Sequence, residues 1–207
     1  MAAQFQGAGN TYASTFGLSM GSSIIIGALI IMLYTLLGGF WAVSVTDTVQ
    51  GLLMAFTALL LPIAALLEVG GVSGFIDGLR AVSSPDQLSW TGNAAGLVAL
   101  GVVIGGLCVG FGTYGQPHLL VRFMALRDEK ALRQARLITI AWFVVVFFGM
   151  YFLGLAGHVL YPDLANPETV FFALADNLFP PLVSAVLMAA VLSAIMSTAD
   201  SQLLVAA

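Results

Sequence analysis

Long apolar runs alternate with short polar stretches along this chain, and the pattern predicts helices that cross a membrane. A helix of about 20 residues spans roughly 30 Å of hydrocarbon, because each residue adds about 1.5 Å. Five runs reach that length, at residues 22–42, 48–68, 94–114, 137–160 and 181–205. Residues 1–12 have the pattern of the end of another span. We therefore interpret residues 1–207 as one partial transmembrane domain, a fragment of a longer protein.

Composition indicates that lipid is the main solvent of the chain. Hydrophobic residues make up 60% of it and charged residues 8%, whereas a soluble domain has about 25% charged residues. The predicted fold class is therefore all-α, as a polytopic membrane protein. The lipid bilayer is the expected partner, and nucleic acid is not, because no basic face extends across the sequence.

Positive charge predicts the orientation of the spans. Five of the six lysines and arginines lie between Arg122 and Arg136, and short loops rich in these residues stay in the cytoplasm. We therefore expect residues 115–136 to be cytoplasmic and residues 69–93 and 161–179 to be extracytoplasmic. The expected location is the inner (plasma) membrane, with several passes.

Shorter elements are predicted in the connections. Residues 43–47 are expected to form a cytoplasmic loop between the first two spans. Residues 70–79 have the pattern of a short interfacial helix. Pro167 is suited to the first turn of another short helix, which would end before Pro180.

The third span is rich in glycine and ends in Gly-Gln-Pro. Residues 101–117 read GVVIGGLCVGFGTYGQP, and each glycine in a helix interior costs about 1 kcal/mol relative to alanine. One interpretation is a broken helix whose free amide and carbonyl groups face a substrate. The other is an unbroken helix whose glycines permit close packing. The crowding of glycines toward residue 115 favours the broken helix.

The last span carries polar groups on one face. Ala194, Ser197, Thr198 and Ser201 recur at i, i+3, i+4 and i+7, and Asp200 lies about 60° from Ser197. Their hydroxyl, carboxylate and carbonyl oxygens suit a small hard cation such as Na⁺. Two alternatives stay open. The hydroxyls can simply bond the carbonyl one turn back, and Asp200 can lie in water at the cytoplasmic rim.

Asp47 is the second carboxylate of the predicted ion site. It begins the second span on the cytoplasmic side, at a depth comparable to that of Asp200. Ser44, Thr46 and Thr48 add oxygens nearby, and these groups can converge on one cation. The alternative is that Asp47 serves as a helix N-cap.

Three motifs together resemble the sodium/solute symporter family, and most closely its sodium/proline branch. They are GGFWAVSVTDTVQ at residues 38–50, YGQPHLLVRFMA at 114–125 and SAIMSTADSQLLV at 193–205. The resemblance covers essentially the whole chain. It implies a core of two inverted five-helix repeats, with residues 101–117 in a discontinuous helix.

The resemblance also implies an ion-binding role for particular residues, with Na⁺ as the coupling ion. The family's common Na⁺ site uses one backbone carbonyl and two hydroxyls, and the matching positions are Ala194, Ser197 and Thr198. Some members bind a second Na⁺, and the matching positions are Asp47, Ser197, Asp200 and Ser201. At that second site Asp200 stands in place of a hydroxyl.

The implied function is sodium-coupled symport, with import of a small organic solute by alternating access. The residues expected along the substrate path are Gly110, Thr113, Tyr114, Gln116 and Pro117. Proline transporters of the family have an aromatic residue where this chain has Thr113. The solute is therefore expected to be a proline-like amino acid or another small metabolite.

Three other functions are alternatives to symport. A proton-coupled carrier or channel would use Asp47 and Asp200 as proton relays. An enzyme is not expected, because the sequence has no HExxH motif, no paired histidines and no GxSxG motif. A packing subunit would leave the polar face of the last span unexplained.

Overall fold

The computed structural model of the chain describes residues 2–89 and 91–206, without the side chains of Ser14, Tyr34 and Tyr114. All regular secondary structure in this part of the chain is helical, which confirms the predicted all-α class. In chain order the helices are α1 (Ala2–Phe16), α2 (Met20–Glu68), α3 (Gly71–Val82), α4 (Gly96–Tyr114), α5 (Pro117–Met124), α6 (Glu129–Leu160), the 3₁₀ turn Pro167–Thr169, α7 (Val170–Leu178) and α8 (Pro181–Ala206).

Four helical segments in the described residues are long and apolar enough to cross a membrane. They are Thr35–Glu68, Gly96–Thr113, Glu129–Leu160 and Pro181–Ala206, and a shorter apolar segment covers Met20–Leu33. The chain is therefore a multi-pass membrane protein.

Residues 43–47 are helical, in contrast to the loop expected there. Helical geometry is interrupted instead at Gly39, whose φ of 59° and ψ of −166° lie outside the helical region. A positive φ is strained for residues with a side chain but accessible to glycine. The hydroxyls of Ser44 and Thr48 bond the carbonyls of Phe40 and Ser44 at 2.8 Å. The polar stretch thus keeps its oxygens bonded inside the helix.

The short helices of the connections confirm their sequence predictions. α3 occupies the stretch expected to hold an interfacial helix. Pro167 opens a 3₁₀ turn, with Asn166 Oδ1 accepting from the Glu168 amide at 3.1 Å, and α7 continues to Leu178. Proline suits this first turn because its missing N–H would have no helical partner there.

The buried core lies where α2, α6, α7 and α8 meet. Leu61, Leu153, Leu174 and Leu187 are each 0–2% exposed and belong to one apolar cluster. Gly149 lets α6 approach α2 closely, since a Cβ there would overlap the backbone carbonyl of Ala58. This core holds α2 against α8 at a distance of about 21 Å along the helices from Asp47 and Ser201, which lie 14 residues from Leu61 and Leu187 respectively.

α4 is helical without interruption from Gly96 to Tyr114, so the glycines at positions 101–112 do not break it. The discontinuity is confined to Gly115 and Gln116, before Pro117 opens α5. An unsatisfied backbone group in hydrocarbon costs several kcal/mol, more than the roughly 1 kcal/mol cost of a helical glycine. The helix therefore persists.

The glycines of α4 do not support the close-packing interpretation either. A Cβ added at positions 101, 105, 106, 110 or 112 would meet nothing within 4 Å in the described residues. Almost every side chain of α4 is exposed, and none of its apolar window is buried. Within this part of the chain α4 stands beside the bundle.

Candidate functional site

Asp47, Arg122 and Ser201 meet where α2, α5 and α8 come together. The Arg122 guanidinium donates to Asp47 Oδ2 and, from the same Nη2, to Ser201 Oγ at 2.6 Å. The Asp47 side chain is 7% exposed and that of Arg122 is 38% exposed. A buried carboxylate is thus compensated by a cation that reaches the surface.

Ser201 connects this ion pair to the last helix. Its Oγ lies 2.6 Å from the Ser197 carbonyl, 3.3 Å from Asp47 Oδ2 and 3.3 Å from Asp200 Oδ1. A hydroxyl has one proton to donate, and the shortest of these contacts places it on the Ser197 carbonyl. The Ser201 oxygen then remains an acceptor for Arg122.

Asp200 is fully buried in α8, at 0% exposure. The alternative that it lies in water at the rim is therefore wrong. Together Asp47, Asp200 and Arg122 bring two acidic groups and one basic group into one cluster.

Three further side-chain oxygens of α2 and α8 lack a hydrogen-bond partner among the described residues. They are buried and comprise Asp47 Oδ1, Gln50 Oε1 and Gln202 Oε1. Gln50 lies one turn after Asp47 on α2, and Gln202 follows Ser201 on α8. A buried acceptor without a partner costs free energy. These oxygens fit a small hard cation, which accepts carboxylate, amide and hydroxyl oxygens as ligands.

The other predicted ion-site residues lie one to two turns earlier on α8. Ser197 Oγ and Thr198 Oγ1 both donate to the Ala194 carbonyl at 3.1 Å. This is the local bonding that serine and threonine often make in helices. It also gathers two hydroxyl oxygens and one carbonyl oxygen at a single turn of α8.

The predicted substrate residues lie at the end of α4 and the start of α5. Gly110 is exposed, Thr113 Oγ1 donates to the Val109 carbonyl at 3.0 Å, and Gln116 precedes Pro117 in extended geometry. The side chain of Tyr114 lies outside the described residues. No hydrogen bond between described residues joins this group to the oxygens of α8.

Arg122, Gln50 and Gln202 were not predicted as site residues. Arg122 belongs to a run of five basic residues, and charge alone does not distinguish it from the others. Gln50 and Gln202 both lie inside the quoted motifs, three residues after Asp47 and one after Ser201. Helical spacing was the available signal for Gln50, since residues i and i+3 are neighbours on a helix surface.

His118 lies one turn before Arg122 on α5. Burial lowers the pKa of His118 below its ordinary 6.5, and the positive charge of Arg122 lowers it further. A histidine with a lowered folded pKa favours folding while it is neutral. That contribution is present above the unfolded pKa and is lost as the pH falls through the folded pKa.

We therefore expect the wild type to lose stability relative to His118→Gln as the pH falls below 6.5. The measurement is the difference between the thermal unfolding midpoints of the two proteins in detergent, followed across pH. Comparing the two proteins removes the effects of all other titrating groups. A difference that does not vary with pH would contradict the prediction.

Comparison with known proteins identifies related sequences. The sequence profile described as "Sodium:solute symporter family" matches residues 1–207. The sodium/proline symporters of Staphylococcus aureus strains JH9 and Newman are each 39% identical to the chain over 205 residues. The match covers 97% of this chain and 39% of each relative, so the chain spans well under half the length of these curated relatives. No solved structure matches it.

Proposed function

Because the chain belongs to the sodium:solute symporter family, we propose that it forms part of a carrier that couples Na⁺ entry to the import of a small organic solute. The observation that carries the proposal is the group of buried oxygens shared by α2 and α8. Ser201 Oγ lies 3.3 Å from Asp47 Oδ2, although the two residues are 154 positions apart in the sequence. Cation binding between two helices can favour one of their arrangements over another, as alternating access requires.

The first proposed Na⁺ site is the turn of α8 that holds Ala194, Ser197 and Thr198. These residues offer three oxygens within one turn. In this proposal Na⁺ takes the place of the hydroxyl protons as the partner of the Ala194 carbonyl. The two hydroxyls then turn their lone pairs toward the ion.

The second proposed Na⁺ site is formed by Asp47, Asp200 and Ser201, with the Ser197 carbonyl behind them. A cation there would have the carboxylate oxygens of Asp47 and Asp200 and the hydroxyl oxygen of Ser201 as its ligands. The unpartnered oxygens of Gln50 and Gln202 are further candidate ligands. Asp200 gives this chain a carboxylate where the resemblance implies a hydroxyl, and this strengthens cation binding at the site.

The solute is proposed to pass the joint between α4 and α5, where Gly110, Thr113, Tyr114, Gln116 and Pro117 lie. At this joint the amides of Gly115 and Gln116 make turn bonds of 3.3 Å to the carbonyls of Gly112 and Thr113, and long bonds of this kind at a helix break can be exchanged for bonds to polar groups of a small solute. The relatives named as sodium/proline symporters support an amino acid or similar metabolite.

The test replaces the two hydroxyls of α8 in the protein as its source organism encodes it. We expect Ser197→Ala and Thr198→Ala each to raise the Na⁺ concentration for half-maximal uptake about 10–100-fold, because each removes a ligand from a charged group. Uptake of labelled solute is measured over a range of Na⁺ concentrations. Solute binding at saturating Na⁺ should change much less.

Thr35→Ala is the matched control for this test. Thr35 Oγ1 also bonds the carbonyl one turn back, that of Ile31 at 2.7 Å, but on α2. If Thr35→Ala shifts the Na⁺ dependence as strongly as Thr198→Ala, the shift reflects a general loss of helix bonding. The ion-site assignment would then fail.

Proton coupling is the second candidate, because Asp47 and Asp200 are both carboxylates in a membrane span. Sodium coupling and proton coupling are distinguished by changing one ion gradient at a time. Sodium symport predicts that uptake stops when choline replaces Na⁺ and continues when the proton gradient is collapsed at constant membrane potential. The opposite pattern would favour the proton carrier.

A further inference from the structure

A cavity of about 730 Å³ opens between α5 and the first turns of α6. Its lining divides into two parts. The polar part consists of Glu129, Arg133, Arg136 and Thr139, and the apolar wall consists of Phe123, Leu132 and Ile140. A pocket with a cationic part beside an apolar part suits a ligand that is itself divided into an anionic group and a hydrocarbon group.

Part of the positive charge at the cavity is not neutralised by any described residue. Arg133 Nη2 lies 2.7 Å from Glu129 Oε1, whereas Arg136 has no ion pair or hydrogen bond with another described residue. The segment from Arg122 to Arg136 has five basic and two acidic side chains. An anion therefore finds an unpaired guanidinium at the cavity.

The apolar part continues along α6 for the depth of half a bilayer. Arg136, Ile140, Phe143 and Phe147 recur at i, i+4, i+7 and i+11 and so share one face of the helix. Ile140, Phe143 and Phe147 are 54%, 43% and 71% exposed. The distance from Arg136 to Phe147 is about 16 Å along the helix axis, at about 1.5 Å per residue. This is close to the depth of one leaflet, about half of 30 Å.

We propose that this face of α5 and α6 is a binding site for a phospholipid with a net negative headgroup. The phosphate lies between Arg133 and Arg136, Thr139 adds a hydroxyl, and an acyl chain follows Ile140, Phe143 and Phe147. Arginine binds phosphate oxygens through paired N–H donors. The site lies at the predicted cytoplasmic end of the span, where basic residues meet anionic lipids.

A soluble phosphate does not fit these observations equally well. It would use the arginines but leave the apolar wall and the exposed stripe on α6 without a partner. Each buried CH₂ of an acyl chain contributes about 0.8 kcal/mol. The proposal therefore requires both halves of the ligand, and the experiment separates them.

The experiment measures lipid binding to the purified protein in a neutral detergent by native mass spectrometry. Phosphatidylglycerol and phosphatidylcholine with the same acyl chains are titrated separately. We expect phosphatidylglycerol to bind more tightly, and Arg133→Gln/Arg136→Gln to weaken its binding at least tenfold, roughly the effect of losing one charge-assisted bond. A second variant, Ile140→Gln/Phe143→Gln, should weaken both lipids, because it acts on the acyl chain.

Arg127→Gln/Lys130→Gln is the matched control, since it removes two positive charges from the same surface outside the cavity. We expect it to change phosphatidylglycerol binding less than threefold. Thermal unfolding midpoints check that each variant is folded, and a variant that does not fold is replaced by the corresponding single substitution. If Arg133→Gln/Arg136→Gln and Arg127→Gln/Lys130→Gln weakened phosphatidylglycerol binding equally, the proposal would be overturned. Equal binding of the two lipids, or displacement of lipid by millimolar glycerol phosphate, would overturn it as well.

Discussion

Replacement of Arg122 by leucine is expected to destabilise the folded chain by about 3 kcal/mol, at the low end of the effect of breaking a buried ion pair. Arg122 is partly exposed, but its removal leaves the Asp47 carboxylate, only 7% exposed, without its cation. The measurement is the free energy of unfolding in detergent micelles, from denaturant titration. Arg122→Leu leaves a buried carboxylate without its cation, whereas Asp47→Asn leaves a partly exposed guanidinium. Arg122→Leu should therefore lower the free energy of unfolding more than Asp47→Asn does.

The double variant Asp47→Asn/Arg122→Leu tests whether the cost arises from the stranded charge. We expect it to recover more than half of the stability that Arg122→Leu loses. Arg127→Leu is the surface control, because Arg127 pairs with Asp128 at 3.2 Å while its own side chain is 90% exposed. Exposed pairs contribute about 0–1 kcal/mol. A loss in Arg122→Leu no larger than that in Arg127→Leu would refute the role of burial.

The same variant also bears on the second proposed Na⁺ site. If Na⁺ can occupy the position beside Asp47, NaCl should raise the stability of Arg122→Leu more than choline chloride does at equal ionic strength. The wild type should respond less, because its guanidinium already occupies Asp47 Oδ2. An equal response to the two salts would argue against the second site and leave the energy of the ion pair unaffected.

Gly149→Ala is expected to be the second most damaging change, with a loss of roughly 1–3 kcal/mol from overpacking. The added methyl group would overlap the backbone carbonyl of Ala58, which cannot move without displacing α2. The helices α2 and α6 would have to separate across the core. The measurement is again the free energy of unfolding in micelles.

Gly154→Ala gives the matched control on the same helix. A Cβ at Gly154 meets nothing within 4 Å in the described residues, and alanine is favoured over glycine in a helix by about 1 kcal/mol. Gly154→Ala should therefore be neutral or stabilising. If both substitutions had the same sign, the close approach at Ala58 would not be limiting the packing of α6.

Hydropathy predicted the helical class and most of the apolar segments. The reason is that a single chain segment in lipid can pair all its backbone N–H and C=O groups with one another only as a helix. It did not predict where helices bend. The polar stretch around Asp47 suggested a loop, but its hydroxyls bond within α2, and Gly39 takes the irregular geometry instead. Side-chain bonding of this kind depends on rotamers, which a hydropathy pattern does not contain.

Helical spacing anticipated that Ser197, Asp200 and Ser201 lie close together on α8, and depth in the membrane placed Asp47 near them. The role of these residues in ion binding stays a prediction. The partner of Asp47 could not be identified from the sequence. The five basic residues of the run all indicate that the loop is cytoplasmic, and nothing in the sequence distinguishes one of them from the others. Only the path of α5 toward α8 singles out Arg122.

The two non-helical residues between α4 and α5 have a mechanical consequence. α5 is fastened to α2 and α8 through Arg122, while α4 is exposed along nearly its whole length. Helices are stiff, whereas Gly115 and Gln116 are held by single turn bonds of 3.3 Å to the carbonyls of Gly112 and Thr113. A tilt of α4 is therefore absorbed as rotation about the few backbone torsions of this joint. α4 can then change its tilt while Arg122 keeps α5 in contact with Asp47 and Ser201.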